Sequence, residues 1–85
     1  MTVADEAAQL NTISQDMPLH AQQSVTAELE QLGPHVAQLL GHDHPGNQRI
    51  QELINNAMRL SGDTFQALEL LGQACREVAQ SLQRG

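Results

Sequence analysis

Three consecutive residues near the middle of the chain are its best candidates for metal chemistry. His42, Asp43 and His44 follow one another, and His35 lies shortly before them. Structural zinc sites usually take their ligands from two separate elements, often with cysteine. The single cysteine, Cys75, lies far along the chain, so the cluster indicates a polar turn. We predict that the chain holds no metal and no other cofactor.

Patterns typical of catalysis are equally weak. Cys75 lies among apolar residues at helical spacing, where a thiol behaves as a small hydrophobic group. Gly41 and Gly46 do not have the spacing of a phosphate-binding loop, and no serine lies in a nucleophile-elbow pattern. We therefore predict no catalytic residues and no enzymatic activity.

The charge composition restricts the class of partner. The chain has four Arg and no Lys, and its net charge is −6 at pH 7. Nucleic acids and anionic membranes bind clustered positive charge, so we predict protein partners and no nucleic acid. The sequence has neither a long apolar run nor a basic N-terminal segment. We expect no membrane span, and a protein that is cytoplasmic or secreted without a conventional signal peptide.

The elements that position these residues are predicted to be helices. Ala, Leu, Gln, Glu and Arg, all good helix formers, make up about half of the sequence, and no segment alternates as a strand does. Turn-forming residues concentrate at 41–47, almost at the centre of the chain. The fold class is therefore all-α, with an antiparallel helical hairpin that reverses at this turn.

The hairpin divides into four segments within one domain, 1–85. Thr2 and Asp5 have the spacing of a capping box, which predicts that a helix begins near the N-terminus. The segments are a weaker N-terminal helix at 1–17, a first arm at 18–40, the turn at 41–47 and a second arm at 48–84.

Apolar residues recur at steps of three and four along both arms, as they do in helical bundles. We interpret this seam as the surface that forms the core or binds a partner. Its members are Val25, Leu29, Leu32, Val36, Leu39, Ile50, Ile54, Phe65, Leu68, Leu71, Cys75, Val78 and Leu82.

Two interruptions modify the arms. Gly33-Pro34 should kink the first arm, because proline removes a helical hydrogen bond. In the second arm, Ser61-Gly62-Asp63 is followed by Gln66, and Asp63 with Gln66 has the form of a capping box for a new helix. A kinked hairpin is the leading prediction. A break at Ser61-Gly62-Asp63 would give the alternative, a self-contained four-helix bundle.

The inventory of large apolar side chains is small for an independent core. The chain has one Phe and neither Trp nor Tyr. Burying one aliphatic side chain contributes roughly 1.5–3 kcal/mol, whereas ordering one residue costs about 1.5 kcal/mol. We therefore predict that the hairpin forms a homo- or heterodimer, and that the dimer is a four-helix bundle.

The turn resembles that of a known family. In Gly41-His42-Asp43-His44-Pro45-Gly46, His44 and Gly46 stand where the small WXG (ESAT-like) proteins of type VII secretion have the Trp and Gly of a Trp-x-Gly turn. That resemblance implies a small secreted helical hairpin that pairs with another chain. The segment from His44 to Asn47 is also similar to the proline-containing turn of type III secretion needle subunits.

Together, these features favour a non-enzymatic protein–protein interaction module. It would serve as a secretion-associated adaptor or a small secreted hairpin protein. The alternatives are a cytosolic helical inhibitor or chaperone that masks an apolar surface of its partner, and a type III needle-like subunit.

Overall fold

A computed structural model of the chain describes residues 2–84. These residues form three α-helices and no strand, which confirms the all-α prediction. The helices are α1 (Val3–Gln15), α2 (Leu19–Leu40) and α3 (Pro45–Arg84).

The predicted capping box begins α1. The side-chain hydroxyl of Thr2 accepts a hydrogen bond from the backbone N–H of Asp5 at 3.1 Å. The Asp5 carboxylate in turn accepts one from the backbone N–H of Thr2 at 3.4 Å. Because both bonds satisfy N–H groups that have no partner inside the helix, they fix the start of α1.

The first arm is a single helix. α2 continues through Gly33 and Pro34, so the chain does not reverse there. It ends where Gly41 adopts φ +89° and donates its N–H to the carbonyl of Ala37 at 2.8 Å. This position favours glycine, because a residue with a Cβ would be strained in the left-handed backbone conformation.

The second arm is also a single helix. α3 begins at Pro45, so the turn is shorter than the predicted 41–47, and it runs without a break to Arg84. The predicted alternative, a break at Ser61-Gly62-Asp63, is therefore wrong. Asp63 caps no helix. Its carboxylate lies 3.7 Å from the guanidinium of Arg59, one turn earlier in α3.

The chain divides into two compact units. The first unit contains α1 and the part of α3 from Gln66 onward, and the second is His20–Phe65. In the second unit, Gln22 contacts Ser61, and Gly33, further along α2, contacts Gln51, which is earlier in α3. The two helices are therefore antiparallel, and the unit is a helical hairpin.

The first unit pairs α1 with the C-terminal half of α3. The Arg76 guanidinium donates to the Ser14 hydroxyl at 2.7 Å. Gly72 lies so close to Met17 that a Cβ at position 72 would be 3.2 Å from the Met17 side chain. Since the later residue on one segment meets the earlier residue on the other, this pair is antiparallel as well.

Candidate interaction surface

The two helices of the hairpin meet along a mixture of small, polar and apolar residues. We call these residues the contact line. All of them are buried or half-buried, and they recur at steps of three and four, as in a coiled coil. The contact line consists of Gln22, Thr26, Leu29, Gly33 and Val36 on α2, and of Asn47, Gln51, Ile54, Met58, Ser61 and Phe65 on α3.

One hydrogen-bonded cluster on the contact line is built around Ser61, which is buried. The Gln22 side-chain amide donates to the Ser61 hydroxyl at 2.5 Å and to its backbone carbonyl at 3.3 Å. The hydroxyls of Thr26 and Ser61 share a hydrogen bond of 2.6 Å. Because buried polar groups are stable only when paired, this cluster fixes which turns of α2 and α3 face each other.

A second cluster lies near the turn. The Gln51 side-chain amide donates to the Gly33 carbonyl at 2.7 Å and to the Asn47 side-chain oxygen at 3.1 Å. A Cβ at Gly33 would lie 3.0 Å from Gln51 Oε1, so glycine allows this close approach. Asn47 also donates to the His42 carbonyl at 3.5 Å. The two clusters together set the register of the hairpin.

The apolar interior is correspondingly thin. Among the described residues, the buried hydrophobic side chains are Ala7, Ile54 and Ala79, and no large side chain is fully buried. The predicted seam divides into two sets. Leu29, Val36, Ile54, Phe65, Leu68, Cys75 and Leu82 are buried or half-buried, whereas Val25, Leu32, Leu39, Ile50, Leu71 and Val78 are exposed.

Six of the seven large apolar residues that are exposed in the hairpin share one side, which we call the apolar side; the seventh, Leu40, is the last residue of α2. Five of the six precede a contact-line position by one residue, as Leu32 precedes Gly33 and Leu60 precedes Ser61, and the sixth, Leu39, lies seven residues after Leu32. One residue is a rotation of about 100° around a helix. Since α2 and α3 are antiparallel, equal offsets on both helices place these residues on the same side of the hairpin. The apolar side consists of Val25, Leu32 and Leu39 on α2 and Ile50, Leu53 and Leu60 on α3.

The large side chains of the apolar side are widely exposed. Leu39 is 73% exposed and Leu53 is 59% exposed. Residues offset by one in the other direction form the opposite side, which we call the polar side. Its polar residues are Gln23, Glu30, Gln48, Glu52, Asn55 and Arg59, and the small residues Ala27, Pro34, Ala37 and Gly62 lie between them. The hairpin therefore has one apolar and one polar side.

Sequence reasoning missed part of this arrangement. Leu60 was not assigned to the seam, and the hydrogen-bonded residues Gln22, Thr26 and Ser61 were not assigned to the helix contact. The available signal is the helical spacing that Ser61 shares with Ile54, and that Gln22 and Thr26 share with Leu29, one residue out of phase with the exposed apolar residues.

The turn shows a second local arrangement. His44 precedes α3, and its Nδ1 accepts a hydrogen bond from the backbone N–H of Gly46 at 2.9 Å. A Cβ at Gly46 would lie 3.0 Å from that nitrogen, so glycine allows the imidazole to cap the helix. In residues 2–84, no three His, Cys, Asp or Glu side chains form a group that could hold a metal ion.

The first unit repeats the pattern of small contacts and exposed apolar residues. Ala7, Ser14, Gly72 and Ala79 are buried, whereas Leu71 is 52% exposed and other large apolar residues of the same unit are exposed as well. These other residues are Val3, Ile13, Leu70 and Val78.

Comparison with known proteins adds no assignment. No protein-family model, curated protein or solved structure matches the chain. None of the helices within residues 2–84 is both long enough and apolar enough to cross a membrane.

Proposed function

We propose that the protein is a non-enzymatic protein–protein interaction module, and that the apolar side of its hairpin binds a helical surface of another chain. One observation carries this proposal. The large apolar residues of the apolar side lie outside the α2–α3 contact, in which hydrogen-bonded polar side chains are mixed with apolar ones such as Leu29 and Phe65. Large aligned apolar patches on a soluble protein are typical of binding surfaces.

The exposed area of the chain supports the same proposal. The chain exposes 6276 Å², whereas a compact monomer of its mass, 9.3 kDa, exposes about 5,000 Å². The excess is about 1,300 Å², and a standard protein–protein interface buries about 800 Å² on each partner. An interface of that size on the apolar side would remove about 800 Å² of this excess.

The biological setting we propose is that of a secretion-associated adaptor or a small secreted hairpin protein. The antiparallel hairpin and the His44-x-Gly46 turn support this setting through their resemblance to the WXG proteins. A cytosolic inhibitor or chaperone would use the same apolar side, but against a globular partner.

Site-specific photocrosslinking in the producing cell tests the interaction. A photoreactive amino acid replaces Leu53 on the apolar side or, as a matched control, Asn55 on the polar side. Both positions are exposed and lie on α3. We expect a protein adduct from position 53 and little from position 55.

The mass of the adduct identifies the kind of partner, which is a hairpin-sized chain for an adaptor and a larger protein for an inhibitor or chaperone. Equal adducts from both positions, or none from position 53, would contradict the proposed function.

A further inference from the structure

We propose that the partner on the apolar side is a second copy of this chain, with α2 packed antiparallel against α2 of that copy around a twofold axis near Leu32. This inference rests on the proposed function, and it adds the identity of the partner and the register of the pair.

The charges on the apolar side favour a second copy. Three further residues of α2 lie in line with Val25, Leu32 and Leu39 at steps of three and four, and these are Ala21, Glu28 and His35. Glu28 and His35 are therefore the only ionisable residues among them. Both side chains are exposed, and neither side chain makes a hydrogen bond or an ion pair within residues 2–84.

The spacing of these two residues is self-complementary. Glu28 lies four residues before Leu32, and His35 lies three residues after it. In an antiparallel pair centred on Leu32, Glu28 of each copy comes within one residue, about 1.5 Å along the axis, of His35 of the other. In each pair the His35 imidazole donates a hydrogen bond to the Glu28 carboxylate of the other copy. The twofold axis produces two such pairs in the dimer.

The apolar residues match in the same register. Val25 of one copy faces Leu39 of the other, and Leu32 faces its own counterpart. Because Gly33 contacts Gln51 within the hairpin, Leu53 of α3 lies near the same axis and also faces its counterpart. The interface thus alternates apolar contacts with two Glu–His pairs.

The other twofold arrangement leaves the charges unpaired. If α2 packed against α3 of the second copy, the intrachain contacts of Ser61 and Gln51 imply that Glu28 would face Ala57 and His35 would face Ile50. A carboxylate placed against apolar side chains without a partner is strongly unfavourable. The α2–α2 arrangement avoids this cost.

A charge exchange measured by sedimentation equilibrium tests the proposal. We expect the wild-type protein to dimerise. Glu28→Arg places two cationic or donor groups together and His35→Glu places two carboxylates together, so each should weaken the dimer about tenfold or more. The double variant, with Arg at 28 and Glu at 35, restores opposite charges between copies and should recover most of the affinity.

The controls separate pairing between copies from other effects. Within one chain, residues 28 and 35 are about 10 Å apart along α2, so an intrachain ion pair cannot account for the recovery. Glu30→Arg on the polar side changes the net charge by as much as Glu28→Arg does and should leave the dimer intact. Helicity measured by circular dichroism verifies that each variant is folded.

Two outcomes would overturn the proposal. A double variant no stronger than the single variants would exclude the α2–α2 register. A wild-type chain that stays monomeric at millimolar concentration would exclude a second copy. Neither outcome bears on the photocrosslinking contrast between positions 53 and 55, so failure of the proposed function would be recognised separately.

Discussion

Replacement of Gly41 and Gly62 by alanine should have opposite effects on stability. Neither glycine has a neighbouring atom within 4 Å of the position where a Cβ would lie, so neither substitution creates a clash with a residue elsewhere in the chain. The two positions differ in backbone conformation. Gly41 follows α2 with φ +89°, whereas Gly62 lies inside the continuous helix α3.

The magnitudes follow from this difference. Alanine is more favourable than glycine by about 1 kcal/mol in a helix interior, so Gly62→Ala should stabilise the protein by about that amount. Gly41→Ala should destabilise it by about 1–2 kcal/mol, because a Cβ clashes with its own backbone in the left-handed region. For a chain of this size, 1 kcal/mol corresponds to a shift in Tm of about 4–8 °C.

Thermal unfolding followed by circular dichroism measures both changes, at one fixed protein concentration because association would shift the Tm. Gly62→Ala should raise the Tm and Gly41→Ala should lower it. A lower Tm for Gly62→Ala would refute the reasoning, since it would mean that α3 is interrupted at this glycine.

Three further substitutions test other parts of the structure. His44→Ala removes the cap of α3 and should lower the free energy of unfolding by about 1 kcal/mol. His44→Asp should retain most of the stability because aspartate is a good N-cap. Denaturant unfolding measures both variants. Ser61→Ala should lower the free energy of unfolding by about 1 kcal/mol because hydrogen bonds are lost. The same change at exposed Ser81 should alter it by no more than about 0.5 kcal/mol. Equal effects of the two substitutions would contradict the register of the hairpin. Leu71→Asp should lower the mass of the assembled protein in light scattering while preserving monomer helicity, whereas Gln73→Asp should change neither the mass nor the helicity. Equal masses for the two variants would show that Leu71 faces solvent in the assembly.

The hairpin was predictable because its signals are local. Gly41, Pro45 and their polar neighbours cluster at one place, and apolar residues recur with a helical period on both sides of it. The capping box of Thr2 and Asp5 likewise needs only two side chains at the correct spacing. Features of this kind depend on short-range geometry, which the order of residues specifies directly.

The contact between the helices was not predictable in the same way. An apolar stripe is ordinarily assigned to the interior, but Leu32 and Leu39 lie outside while Gln22 and Ser61 lie inside. The polar pairs are distant in sequence, so each partner looks like a solvated residue on its own. Ser61-Gly62-Asp63 resembles a helix break for a related reason, because the contacts that hold Ser61 within α3 come from α2.

The scarcity of large buried side chains has a thermodynamic consequence. The heat capacity of unfolding increases with the apolar area that becomes exposed, and the buried hydrophobic residues here are Ala7, Ile54 and Ala79. Unfolding of the isolated chain should therefore show a heat-capacity increment below the usual value of about 12–15 cal/mol/K per residue. Its stability would change only gradually with temperature, and most of the calorimetric signature of burial would accompany association rather than folding.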